Sequence, residues 1–385
     1  MVDLRSHSRR NALQPAEADQ HGQREPARPG VDLIYVGTGN GGPWPEELRQ
    51  SKGKDNLYVC SILAVRPDTG ELEWHYQPVP GDSWDYDSVQ HLMLADININ
   101  GRQRKVIMQA NKNGFYYVID RITGAFISAQ PFSQVTWAKG IDQETGRPIV
   151  NPEAHYDQND ETVTLAPGPG GAHNWSPMSF NPSAGLVYIP TSTSSSYTFT
   201  EVPDFTYKPG QRNIGVARGG GGAAAAGGAA APGAQPPAPV PAINTRPSPP
   251  AVGPVAPEGQ RGMLVAWDPV VQKERWRTPG GGGIGGGTVS TAGNLVFQVI
   301  PDGRFLAYSA DKGEKLLEIQ TGLRGGMGPP ITYMLDGKQY IAFAGGLGAF
   351  AGRGGAPPPP PPGATPPPPP VTPKLLTYVI DGSSK

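Results

Sequence analysis

Two aspartates separated by a single tyrosine, Asp85 and Asp87, follow a tryptophan in the run Trp84-Asp85-Tyr86-Asp87. Carboxylates in this setting suit two kinds of chemistry. They can hold a cation through hard oxygen donors, or one of them can abstract a proton inside a pocket. The run is too polar for a strand core and too aromatic for a solvated loop, and it follows a Pro80-Gly81 turn. Upstream, Asn40 in the glycine-rich turn Gly37-Thr38-Gly39-Asn40-Gly41 offers a neutral oxygen of the kind hard cations take. Each residue also has a plainer reading. An aspartate beside Trp and Tyr can be structural, Asp87 can cap a turn, and a Gly-Asn-Gly turn suits a positive φ.

The elements that must position these groups are short β-branched and aromatic runs separated by turns. Strands are predicted at Asp32–Gly37, Ser61–Arg66, Glu73–Gln77, His91–Ala95, Lys105–Gln109, Phe115–Asp120 and Leu186–Pro190. Further strands are predicted at Met263–Asp268, Asn294–Val299, Arg304–Ser309, Ile331–Met334, Gln339–Ala344 and Leu375–Ile380. No amphipathic helix lies between them, so the fold class is all-β. A repeat runs through the pattern, with copies beginning at Ile62, Tyr117, Leu264 and Phe305. Where no insertion intervenes the copies lie about 40–55 residues apart, the spacing of one four-stranded propeller blade. In each copy an Asp or Gly makes a hairpin turn, and a later Trp, where present (Trp74, Trp276), is expected to pack between neighbouring sheets.

The bulk composition narrows the function classes. Formal net charge is −1, from 32 basic and 33 acidic residues, so no global field favours nucleic acid or an anionic membrane. No apolar run is long enough to span a bilayer as a helix. The single cysteine, Cys60, excludes an intrachain disulfide and a Cys-x-x-Cys site, and reads as a small apolar residue on a strand. The chain has 53 glycines and 45 prolines, and much of that excess lies in two tracts, 219–257 and 356–373. Both tracts are expected to be mobile surface insertions, since neither buries enough apolar surface to offset its ordering entropy. Residues 1–30 carry Arg5, Arg9, Arg10, Arg24 and Arg28 and no apolar stretch, as expected of a disordered or misassigned start rather than a secretion signal.

Several motifs together resemble the pyrroloquinoline quinone (PQQ)-dependent alcohol dehydrogenases. They are Leu33 through Trp44, Asp55-Asn56-Leu57-Tyr58, Gly81 through Asp87, Lys105 through Tyr117, and Pro167 through Trp175. The resemblance implies an eight-bladed propeller holding PQQ and a metal, oxidising alcohols or sugar hydroxyls and passing electrons to a cytochrome c-type acceptor in the periplasm. It implies that Asp85 is the catalytic base and a metal ligand, with Asn40 and Asp87 as further ligands. An aspartate at position 87 resembles the lanthanide-dependent branch, in which an added carboxylate would help neutralise a trivalent ion; Ca²⁺ is the alternative. Lys112, Asn174 and Trp175 fall at cofactor-contacting positions, a cation at Lys112 favouring the anionic reduced quinone.

His173, Trp44 and Trp137 read as scaffold. Gly285-Gly286-Gly287-Thr288 matches a backbone turn near the cofactor. The family's glutamate ligand, vicinal cysteine pair and quinone-stacking tryptophan fall upstream of the Gly-Thr-Gly-Asn segment. The expectation is therefore an incomplete ring of about five blades that binds PQQ weakly unless the other half-site is supplied. The competing readings are a non-catalytic propeller scaffold of the outer-membrane assembly type and a non-catalytic product of a broken gene.

Overall fold

The computed structural model describes residues 32–51, 53–158, 161–193, 195–211, 213–217, 245–260, 262–281, 285–323, 326–346 and 372–380. Five antiparallel sheets follow one another along the chain. The first joins Ile34–Gly37, Ile62–Val65 and Leu72–Tyr76, and the second joins Met93–Ile99, Arg102–Ala110, Phe115–Asp120 and Phe126–Pro131. The third joins Ser179–Asn181, Leu186–Thr191, Met263–Asp268 and Lys273–Pro279. The fourth joins Gly287–Thr291, Leu295–Val299, Arg304–Ser309 and Lys315–Gln320, and the fifth joins Ile331–Leu335, Lys338–Gly345 and Lys374–Ile380. Together they form about five blades of an incomplete propeller. No helix among the described residues is long and apolar enough to cross a membrane.

Side-chain alternation explains the stacking. Along Leu186–Thr191, Val187 and Ile189 enter the core shared with the second blade, while Leu186 and Tyr188 enter the core shared with the fourth. Phe115, Tyr117 and Ile119 likewise face one layer, and Tyr116 and Val118 the next. A strand sandwiched between two sheets buries both faces, so its sequence reads as a continuous apolar run. These central strands fall where the sequence pattern predicts them, as do the edge strands Leu72–Tyr76 and Ile331–Leu335. Among the outer strands, Lys315–Gln320 is largely exposed and Lys273–Pro279 half-buried, and their mixed polar sequences conceal them.

The repeat has a common geometry. All four copies shift register once in the hairpin, at Ala64/Val65, Val118/Ile119, Ala266/Trp267 and Ala307/Tyr308. Asp120 and Asp268 each accept two backbone N–H groups of their own turn, which makes the hairpin. Trp74 lies against Gly124 of the second blade and donates its indole N–H to the Arg121 carbonyl. Trp276 does the same to Gly313 and the Ala310 carbonyl of the fourth. The tryptophan of one blade is thus seated on the turn of the next.

Two expectations change. Cys60 is buried but precedes its strand, in a left-handed conformation (φ 49°), because its N–H bonds the Gly39 carbonyl rather than a strand partner. In the 219–257 tract, residues 245–257 are described and lie against the body of the protein. Val135 and Val252 exchange backbone hydrogen bonds of 2.9 and 2.8 Å, and Arg246 pairs with Glu161. Residues 1–30, the 356–371 part of the proline tract and the 219–244 part of the other tract lie outside the described residues.

Candidate functional site

The segment between the first and second blades carries Trp84-Asp85-Tyr86-Asp87 and is fastened from beneath. Trp84 donates its indole N–H to the Ala154 carbonyl at 3.0 Å, and the Tyr86 hydroxyl donates to the Pro167 carbonyl at 2.5 Å. Both rings pack on Trp137, and Trp84 also meets His155. Ser83 donates to Asp157 at 2.7 Å while its carbonyl accepts from Tyr156 at 2.6 Å. The aromatic side chains are therefore core groups, and they fix the backbone that carries the aspartates. Within the Trp84–Asp87 run Asp85 is left-handed, at φ 69°; Asn40 has no positive φ.

Lys112 belongs to the tight turn Asn111–Gly114 between two central strands of the second blade, and it is buried. Its ammonium stands 3.1 Å from Asp85 Oδ2 and 3.3 Å from Asp87 Oδ2. Gln90 donates to the other Asp87 oxygen at 3.0 Å and accepts from the Lys112 N–H at 3.2 Å. Gly171 (φ 77°) lies against the Lys112 side chain, where any Cβ would collide with it, and the Ala172 N–H bonds the Lys112 carbonyl. This contact brings the Gly168–Trp175 segment to the same cluster.

The electrostatics are unbalanced. Burial raises the Asp85 carboxyl to about 7; Lys112 opposes that rise, and the charges of Asp87 and Asp82 add to it. Burial alone would lower the Lys112 ammonium, but Asp85 and Asp87 more than offset this and its pKa is raised. Asp82, wholly buried, is also raised, chiefly by burial and against the pull of the Tyr86 and Trp84 amides. Two carboxylates thus share one buried ammonium, while the third, Asp82, rests on backbone amides and feels both Arg49 and Lys112. A base whose pKa lies near neutrality suits proton abstraction at that pH.

Other sequence candidates fall into place unevenly. The Asn40 turn runs beside the aspartate segment, since the Ser88 N–H bonds the Thr38 carbonyl at 3.0 Å, and the Asn40 amide donates to the Gly41 carbonyl at 3.2 Å. Asn174 donates to the Gly170 carbonyl at 2.9 Å, while its buried Oδ1 has no partner. Trp175 is 60% exposed. His173 is buried and donates through Nδ1 to the Pro190 carbonyl at 2.9 Å; burial lowers its pKa to about 4, which keeps it neutral. Trp44 and Trp137 are core residues. Gly285–Thr288 is stitched to the segment after Trp175 by Ser176 and Pro177.

Oxygen donors with surplus negative charge fit a hard cation, and the unpartnered Asn174 Oδ1 fits a polar ligand beside Lys112. Among the described residues no group of three or more His, Cys, Asp or Glu side chains is arranged around one metal position. A cation held by Asp85, Asp87 and Asn40 would therefore complete its shell with oxygens from elsewhere. Sequence reasoning missed Asp82, Arg49 and Asp157. Only Asp82 had a signal, as the third residue before Asp85 on a turn.

Comparison with known proteins gives a consistent picture. Residues 29–136 and 259–341 match the family model described as glucose/ethanol/alcohol dehydrogenase, beta-propeller domain. The chain is 46% identical over 326 residues to quinohemoprotein alcohol dehydrogenase ADH IIB of Pseudomonas putida, covering 84% of this chain and 42% of that protein. The crystal structure of quinohemoprotein alcohol dehydrogenase from Comamonas testosteroni superposes with a TM-score of 0.66 at 41% identity, over 82% of this chain and 43% of that one. A europium-containing methanol dehydrogenase gives a TM-score of 0.68 at 33% identity, over 83% of this chain and 50% of that one. The chain thus spans less than half the length of the curated relatives it matches.

Proposed function

The chain belongs to the PQQ-dependent quinoprotein alcohol dehydrogenase family, and from that premise we propose that it carries the acid–base half of an alcohol-oxidising site. The carrying observation is the convergence of Asp85 and Asp87 on the buried ammonium of Lys112. In this reading Asp85 is the base. Its carboxylate, partly protonated near neutrality, takes the hydroxyl proton of a primary alcohol or sugar at Oδ2 or Oδ1. PQQ, when bound with a hard cation beside it, supplies the two-electron acceptor and the Lewis acid.

Lys112 holds Asp85 in place and sets a fixed positive charge where negative charge would accumulate. Asn174 and Trp175 are the further cofactor contacts, and Asn40, Asp85 and Asp87 the metal oxygens. Asp87 favours a trivalent lanthanide over Ca²⁺, because a second carboxylate better offsets the higher charge. A cytochrome c-type electron acceptor and a periplasmic location complete the proposal, as does the division of the chain into residues 1–30 and a propeller over 31–382. The buried charged cluster favours an enzyme site over a protein-binding scaffold, which has no use for two carboxylates sharing one buried ammonium.

The test is dye-linked alcohol oxidation by a chimera in which the Comamonas testosteroni relative supplies the region this chain does not span. Activity is expected only when PQQ and a cation, La³⁺ or Ca²⁺, are both present. Equal rates without either one would defeat the reading.

A further inference from the structure

Asp85 occupies a conformation that non-glycine residues seldom adopt, and something must hold it there. The residue placed to do so is Asp82. It is fully buried, and its carboxylate accepts three backbone N–H groups of the segment that follows. Oδ1 accepts from Trp84 at 3.2 Å and from Tyr86 at 3.0 Å, and Oδ2 accepts from Asp85 at 3.2 Å. The Asp82 carbonyl is held in turn by Arg49 Nη2 at 2.6 Å, and the Arg49 Nη1 group bonds the Pro43 and Trp44 carbonyls. With Trp84 and Tyr86 tied to the core, this knot leaves Asp85, between them, free to reach Lys112, as Asp87 does from beyond the knot.

We propose that Asp82 is a positioning residue. By accepting these three amides it sets the left-handed turn that aims the Asp85 carboxylate at Lys112. The proposal rests on the reading of Asp85 as the base, but it concerns placement, and placement is observable without catalysis.

Asp82→Asn separates the contacts. One oxygen remains for the Trp84 and Tyr86 amides, while the amide nitrogen that replaces the other oxygen cannot accept from the Asp85 N–H. Hydrogen exchange by NMR on the 385-residue chain, with no metal or PQQ added, is expected to show a selective change. The Asp85 amide should exchange about 10–100-fold faster, the cost of a lost bond to a charged acceptor, with Trp84 and Tyr86 changed far less. The ¹⁵Nζ signal of Lys112 should move to the position it takes in Asp85→Asn, since both variants remove the same partner. Unchanged exchange at Asp85, or a Lys112 signal as in the unsubstituted chain, would overturn the proposal. Uniform loss of protection throughout the chain would overturn it too, because Asp82 would then be a general fold determinant; Asp82→Glu, which keeps the charge, should instead retain the global fold. If alcohol oxidation proved independent of Asp85, the functional reading would fall while these exchange results still decided its placement.

Discussion

The Lys112 ammonium lies 3.1 Å from Asp85 Oδ2, with both side chains almost entirely buried. Neither residue is on a strand. The lysine comes from a hairpin turn of the second blade and the aspartate from the link between blades, so the pair exists only once the two blades are docked. The consequences for stability and chemistry follow from how few cations serve the carboxylates around it.

Removing the cation should be costly. Lys112→Met leaves Asp85 and Asp87 facing each other in a buried site, and breaking a buried pair in this way costs roughly 3–5 kcal/mol. Urea denaturation should show this loss, and Lys112→Met combined with Asp85→Asn should recover part of it. Full additivity of the two changes would show that the pair is not coupled.

The Asp85 carboxyl titrates near 7 in the fold against 3.8 when unperturbed. A raised acid binds its proton more tightly in the folded state, so its favourable contribution is complete below about pH 3.8 and lost as pH rises through about 7. Asp85→Asn should therefore gain stability over the unsubstituted chain between pH 5 and pH 8, by about 1–4 kcal/mol. Denaturation curves of both proteins at the two pH values measure this difference directly. A difference that does not change with pH would contradict the charge balance described.

Cation binding should relieve the same imbalance. At pH 8, La³⁺ is expected to raise the melting temperature more than Ca²⁺ at equal concentration, as binding to the folded state alone requires. Asp87→Ala should narrow the gap between the two ions. An equal response to both ions in the unsubstituted chain would remove the argument for a lanthanide.

The blade-to-blade seat can be tested away from the site. Gly124 has φ 74°, and a Cβ there would lie 2.8 Å from the Trp74 ring. Gly124→Ala should cost about 1–3 kcal/mol through strain and overpacking, and Trp74→Ala about 3–5 kcal/mol through the cavity it leaves. Together they should cost less than the sum, since the cavity relieves the clash.

How much of this the sequence disclosed depends on burial. Strands buried on both faces, such as Met263–Asp268 and Phe115–Asp120, appear as unbroken apolar runs and were found with their limits intact. Lys315–Gln320 faces solvent along most of its length and left no pattern to find. Asp85, Asp87 and Lys112 were legible as a set through family motifs. Their mutual distances were not, because they depend on Gly171 leaving room for the lysine and on Asp82 turning the backbone. Asp82 itself makes only short-range backbone bonds, and in sequence such a residue looks like any aspartate on a turn.

Asp85 as the base is the most directly testable role in the site. In the chimera with the Comamonas testosteroni relative, supplied with PQQ and La³⁺ or Ca²⁺, the turnover of a primary alcohol should fall about 10²–10⁴-fold on Asp85→Asn, the usual contribution of a positioned general base. Turnover within a few-fold of the unsubstituted chimera, with the metal and PQQ still bound, would contradict it.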